Sequence, residues 1–222
     1  MITKRLADRI ADAPAHPTRR RGRPLEADRE LRRSDALSAA LAVLADQGYD
    51  RMTMLDVAKR AGSSKESLYA WFENKEGMIV ELIRRQAADT NEAVVAGLAS
   101  NGAPSDVLFA IANRLQALLF SPTSLALNRA AMTSPSLAAA LLNEGRHRTG
   151  PLVETYLARL NTEGVLKIEN PPEAFKLFYG LVTQDTQICV LLGETPPSET
   201  QRRRRAKTAV SHFFTLHTPS AQ

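Results

Sequence analysis

An all-α fold of about nine helices is what this sequence predicts, and three observations carry the prediction. Apolar residues recur every three to four positions over most of the chain. Serine, threonine, asparagine and proline stand where such runs begin, and glycine stands where several end. No stretch sustains the apolar–polar alternation of a strand, and no internal repeat is present.

The elements follow in order. Within the first 25 residues, Ile2, Leu6 and Ile10 lie four apart, which allows a short amphipathic helix, and "PAHPTRRRGRP" breaks it with three prolines and a glycine. From about Asp28 a helix carries Leu37, Ala40, Leu41 and Leu44 and stops at Gly48. A second begins at Thr53, with Asp56 three residues on as in a capping box, turns Leu55, Ala58 and Ala61 inward, and ends at Gly62. A third begins at Ser63, paired with Glu66, or one residue later at Ser64, paired with Ser67. Asn74 caps a fourth, running from Lys75 through Ile79, Leu82 and Ile83 into the 90s. Pro104 opens a fifth and Pro122 interrupts; helices then follow over 124–133, 135–145 and 151–163. "EGVLKIENPP" is a turn, residues 172–192 make one long apolar helix, and 197–216 make the last.

Composition narrows the function class. No apolar run approaches the ~18 residues that span a bilayer, and the chain opens without the apolar core of a signal peptide. A cytoplasmic protein without membrane association is expected. The single cysteine, Cys189, excludes an intrachain disulfide; it lies in the apolar run "TQICVLLG", which favours a buried thiol over a redox sensor. The four histidines show no metal-ligand spacing, and no P-loop, nucleophile elbow or glycine-rich dinucleotide fingerprint occurs. No cofactor, no metal and no enzymatic activity are expected. Charge is unevenly placed: residues 1–33 carry ten Lys/Arg against five Asp/Glu, and the remainder balances at 19 against 19. Such an arm suits a polyanion through counterion release, and it also suits a solubilising tail.

"TMLDVAKRAGSSKESLYAWF" supplies two short helices joined by a tight glycine turn, which is a helix-turn-helix. The second helix is polar on one side and anchored by Leu68 and Phe72 on the other. The longer stretch "AALAVLADQGYDRMTMLDVAKRAGSSKESLYAWFENKEGM" resembles the TetR family of bacterial transcriptional regulators. Gly48-Tyr49, Thr53-Met54, Val57-Ala58, Ala61-Gly62, Ser64-Lys65, Leu68-Tyr69, Phe72 and Asn74-Lys75-Glu76 carry the likeness. It covers roughly residues 30–80 and fixes a spacing across four helices.

The resemblance implies an N-terminal DNA-binding domain and a C-terminal ligand-binding and dimerisation domain. It divides the chain into a basic arm (1–27), a helix-turn-helix domain (28–75) and a sensor half (76–222). Lys65, Glu66 and Tyr69 would face the major groove of double-stranded DNA, while Thr53, Ser64, Ser67, Trp71 and Lys75 would hold phosphates. Trp71 also fits plain packing, and Glu66 plain capping. Ser63 and Glu66 stand where many members have valine and glycine, so base preference does not carry over. In the arm, "RRRGRP" resembles an AT-hook core; Arg19, Arg20, Arg21 and Arg23 would lie along a minor groove or, failing that, serve as a general phosphate-binding tail.

For the sensor half, the resemblance implies a homodimer and a small-molecule inducer. Pocket candidates are Leu82, Phe109, Leu115, Leu119, Met132, Phe178, Val182 and Gln187, each of which also fits plain core. Dimer candidates on the last two long helices are Phe175, Leu181, Ile188, Leu192, Val210, Phe213 and Phe214. The run Arg202 to Arg205 spans about a full turn and reads as surface. The expected function is a repressor that binds a palindromic operator as a dimer and is released by its ligand. The alternative is a constitutive, architectural DNA binder.

Overall fold

A computed structural model of the chain describes residues 26–219. The arm, with Arg19, Arg20, Arg21 and Arg23, lies outside the described residues. The described residues form eleven α-helices and no strand: α1 (Glu26–Gln47), α2 (Met54–Ala61), α3 (Lys65–Phe72), α4 (Lys75–Leu98), α5 (Pro104–Leu119), α6 (Pro122–Thr133), α7 (Pro135–Glu144), α8 (Arg146–Thr162), α9 (Pro171–Thr183), α10 (Thr186–Leu191) and α11 (Glu199–His217). None of these helices is long and apolar enough to cross a membrane.

Local chemistry sets most boundaries. Thr53 and Asp56 complete the capping box of α2, each side chain accepting from the other's backbone N–H. Ser64, not Ser63, caps α3, its hydroxyl accepting from the Ser67 N–H, so the later of the two serine frames is adopted. Asn74 caps α4 by accepting from the Gly77 N–H. Pro122 opens α6 rather than merely interrupting: it occupies the first turn, where its missing N–H costs nothing, and Ser121 caps it.

Three expectations need correction. The apolar stretch 172–192 is two helices, broken where Gln184 adopts φ 49°. No proline or glycine marks that break; it is held by the Gln116 side-chain amide, which donates to the Val182 carbonyl at 2.9 Å. α8 begins at Arg146 and takes Pro151 into its interior. The N–H that Pro151 lacks would have met the carbonyl of His147, an exposed residue one turn earlier, where water can substitute. Leu55 is exposed, because Met54, Val57 and Ala58 form the buried stripe of the short α2.

Two cores result. The first joins α1, α2 and α3 to the first half of α4 through Leu37, Val57, Leu68, Phe72, Met78 and Ile79, and extends to Leu127 on α6 and Leu137 on α7. The second gathers α5, α8, α9 and α11, with Phe178 edge-on to Phe213 at 5.3 Å. Helices α4, α6 and α7 therefore stand between the two halves.

Candidate nucleic-acid interface and the adjoining cavity

The turn between α2 and α3 depends on Gly62, which takes the left-handed conformation (φ 59°) and donates to the carbonyls of Ala58 and Lys59. A side chain there would be strained. α3 then emerges with Leu68 and Phe72 buried and Ser64, Lys65, Glu66, Tyr69 and Ala70 exposed. Its eight residues span about 12 Å, comparable with the width of a B-DNA major groove. Lys65 Nζ lies 5.6 Å from the Tyr69 ring centre, so cation and phenol form one unit on the outer face.

The expected phosphate contacts divide. The Ser64 and Ser67 hydroxyls lie 3.0 Å apart at the N-terminus of α3, and the Thr53 hydroxyl donates to Asp56 at 2.6 Å. Trp71 is half-buried against the first core, edge-on to Phe72 at 6.2 Å. Lys75 donates to the Tyr49 carbonyl at 2.9 Å and sits 4.2 Å from that ring, which ties the start of α4 to the loop after α1. Burial, with Glu76 and Asp50 nearby, pushes the Tyr49 phenol above its ordinary value, so it stays neutral. Arg51 and Lys59 add exposed positive charge around α2, while Arg60 is paired with Asp46 at 2.5 Å.

A cavity of about 200 Å³ opens on the other side of α4 and α6. Of the eight pocket candidates, Leu115, Leu119, Phe178 and Gln187 line it. The other four do not. Leu82 points into the first core, and its neighbour Ile83 reaches the cavity instead. Val182 is in the second core. Phe109 lies across α5, beneath the Arg203 guanidinium at 5.4 Å. Met132 is 62% exposed on α6, whose buried face is Leu125, Ala126, Leu127, Ala130 and Ala131. The dimer candidates divide too. Val210 and Phe213 are buried within the protomer, and Phe175 packs beside the cavity. Leu181 and Phe214 are half-buried; Ile188 (48%) and Leu192 (82%) are exposed, as are Leu177 and Leu216.

Comparison with known proteins agrees with this geometry. Residues 36–82, which hold α2, α3 and their supports, match the family described as bacterial regulatory proteins, tetR family. Residues 106–218, about half of the chain, match the AefR-like transcriptional repressor C-terminal domain. The chain belongs to the TetR family.

A TetR transcriptional regulator from Agrobacterium tumefaciens of known crystal structure is 30% identical, with a TM-score of 0.71 over 86% of this chain and 96% of that one. The transcriptional repressor KstR2 of Rhodococcus jostii is 31% identical over 60% of this chain and 59% of its own. The transcriptional regulator BetI of Agrobacterium fabrum is 32% identical over 43% of this chain and 47% of its own. The matched part spans between about a third and three-fifths of such curated relatives. The TetR family consists of transcriptional regulators, not enzymes.

Within this TetR-family chain, several cavity residues carried no sequence signal. Arg114, Arg146, Tyr179 and Asn128 line the space, yet they are scattered over four helices, and only the packing brings them together. Gly77 was equally silent: a methyl group there would lie 2.3 Å from the Phe72 carbonyl oxygen, so a glycine holds α4 against the end of α3. Cys189 is half-buried rather than fully buried; desolvation, then Glu194 and Asp185, raise its thiol, which keeps it protonated.

Proposed function

We propose that this chain is a ligand-responsive transcriptional repressor that binds a palindromic operator as a homodimer. The observation that carries the reading is the division of α3: Leu68 and Phe72 fix it to the core, leaving Lys65, Glu66 and Tyr69 directed outward after a left-handed glycine turn. Lys65 would donate to guanine O6 or N7 and Glu66 accept from cytosine N4. The Thr53, Ser64 and Ser67 hydroxyls would hold phosphates, with Trp71 and Lys75 bracing the α3–α4 junction as well as touching the backbone. In the basic arm (1–27), Arg19, Arg20, Arg21 and Arg23 would follow an A·T-rich minor groove.

The helix-turn-helix domain (28–75) would be paired with its copy through the sensor half (76–222). The exposed row Leu177, Ile188 and Leu192, with half-buried Leu181 between, runs along α9–α10, and Leu216 is exposed on the adjacent α11. These are the surfaces proposed to join two protomers in the cytoplasm, placing two copies of α3 about 34 Å apart. Ligand control would act through shared walls. Ile83 and Leu141 belong both to the packing around the helix-turn-helix and to the cavity lining, and α6 presents Ser124 and Asn128 to the cavity and Leu127 to the first core. A ligand that favours one setting of α4, α6 and α7 thereby biases the separation of the two recognition helices.

The test is selection of bound duplexes from a random pool, repeated with Lys65→Ala/Tyr69→Ala. The native chain is expected to return a two-fold symmetric site. The double variant is expected to stay folded and dimeric while losing about 2 kcal/mol of discrimination, roughly 30-fold. An unsymmetrical or sequence-indifferent pool would overturn the reading and leave a constitutive binder.

A further inference from the structure

We infer that the cavity takes a hydrophobic monocarboxylate, its apolar body among Ile111, Leu115, Leu119 and Phe178 and its anionic head at Arg146. The inference deepens the regulatory reading above and rests on it only for the consequence of binding. Three observations point to an acid rather than a neutral or cationic ligand. The lining is largely apolar and includes two cations, Arg114 and Arg146, with no Asp or Glu. Elsewhere on the same helix arginines are paired, Arg148 with Glu144 at 3.1 Å and Arg159 with Glu163 at 3.7 Å. Arg146 makes no ion pair or side-chain hydrogen bond among the described residues. Its guanidinium instead lies 5.3 Å from the Phe175 ring centre and 4.7 Å from that of Tyr179. Those two rings hold the guanidinium at the cavity wall with its N–H donors unpaired among the described residues, and such a fork matches a carboxylate in bidentate fashion.

The surroundings leave that preference intact. Gly145, Arg146 and Thr149 line the cavity at the start of α8, a 17-residue helix whose first turn has no side-chain cap. The Arg146 and His147 N–H groups start α8 where α7 ends at the same Gly145, so the two helix ends offset one another and the Arg146 guanidinium carries the preference for an anion. Burial raises the Tyr179 phenol despite the lowering effect of Arg146, so it remains a neutral hydroxyl, and it donates to Gln187 Oε1 at 3.4 Å. Size bounds the body. An apolar cavity of ~150 Å³ holds benzene, so about 200 Å³ suits an acid of about eight or nine carbons.

Octanoate and 3-phenylpropionate, each against its primary amide, are the probes, measured by calorimetry on the full-length protein at pH 7. At least one acid is expected to bind about 5- to 25-fold more tightly than its amide, since a charged acceptor strengthens each bond of a bidentate pair by roughly 5-fold. Arg146→Gln is expected to erase the gap between acid and amide by weakening the acid alone. Should that variant lose its fold by circular dichroism, the acid–amide comparison on the native chain still decides. Equal binding of acid and amide, failure of both acids to bind, or a gap that survives in folded Arg146→Gln overturns the inference. Operator retention is measured separately. Acid binding without operator selectivity refutes the regulatory reading alone; operator selectivity without acid preference refutes the ligand class alone.

Discussion

Replacing Gly77 by alanine sets two effects of opposite sign against each other. In a helix, alanine is favoured over glycine by about 0.8–1 kcal/mol. At Gly77 the added methyl would lie 2.3 Å from the Phe72 carbonyl oxygen, roughly 1 Å inside an ordinary contact. That carbonyl is backbone and is already held by the Asn74 N–H at 2.6 Å, so it has little freedom to move away. Forcing a methyl into a packed site costs about 1–3 kcal/mol. The propensity gain is smallest in the first turn, where Gly77 stands, so the clash wins and a net loss of about 1–2 kcal/mol is expected. For a chain of this size that is a fall of about 2–8 °C in Tm. Gly97, near the other end of α4, has nothing within 4 Å of where its methyl would be. Gly97→Ala is therefore expected to be neutral or to raise Tm by up to about 4 °C. Differential scanning calorimetry of both variants at one protein concentration is the assay. A Gly77→Ala protein that melts at or above the native temperature would show that α3 and α4 do not approach as described.

Two further perturbations have defined outcomes. Thr53→Ala removes the acceptor for the Asp56 N–H and the 2.6 Å bond to its carboxylate, and is expected to cost about 1 kcal/mol, with Thr53→Ser restoring most of it; urea unfolding midpoints decide, and equal loss in both variants refutes the capping assignment. Deleting residues 1–25 is expected to weaken DNA binding and reduce the slope of log K against log salt by about 0.9 for each phosphate that the arm neutralises, and an unchanged slope would take the arm off the DNA.

How much the sequence revealed depends on how local the cause was. Thr53, Ser64, Asn74 and Pro104 act within a turn of their own helix, and each starts one in the structure. Leu68 and Phe72 were legible as anchors of α3 because eight residues allow only one buried stripe. The break at Gln184 was not legible, since no proline or glycine marks it and the Gln116 amide that meets the Val182 carbonyl there comes from α5. The cavity was half legible. Leu115, Leu119 and Phe178 followed from apolar helical faces and Gln187 as a polar point among them, but an amphipathic pattern does not tell which of two cores a residue enters, and this misplaced Leu82 and Val182. Arg146 was missed because an arginine after a glycine looks like any surface arginine until Phe175 and Tyr179 are brought beneath it.

The way α6 and α7 lend Leu127 and Leu137 to the core of the helix-turn-helix has a practical consequence for building hybrid sensors. A chimaera cut at residue 75 would graft a foreign effector half under α1–α3 and discard Met78, Ile79, Leu127 and Leu137, four side chains that the reader head was shaped around. A transplant that keeps the first two turns of α4 and the inward faces of α6 and α7 with the reader head would preserve that seam.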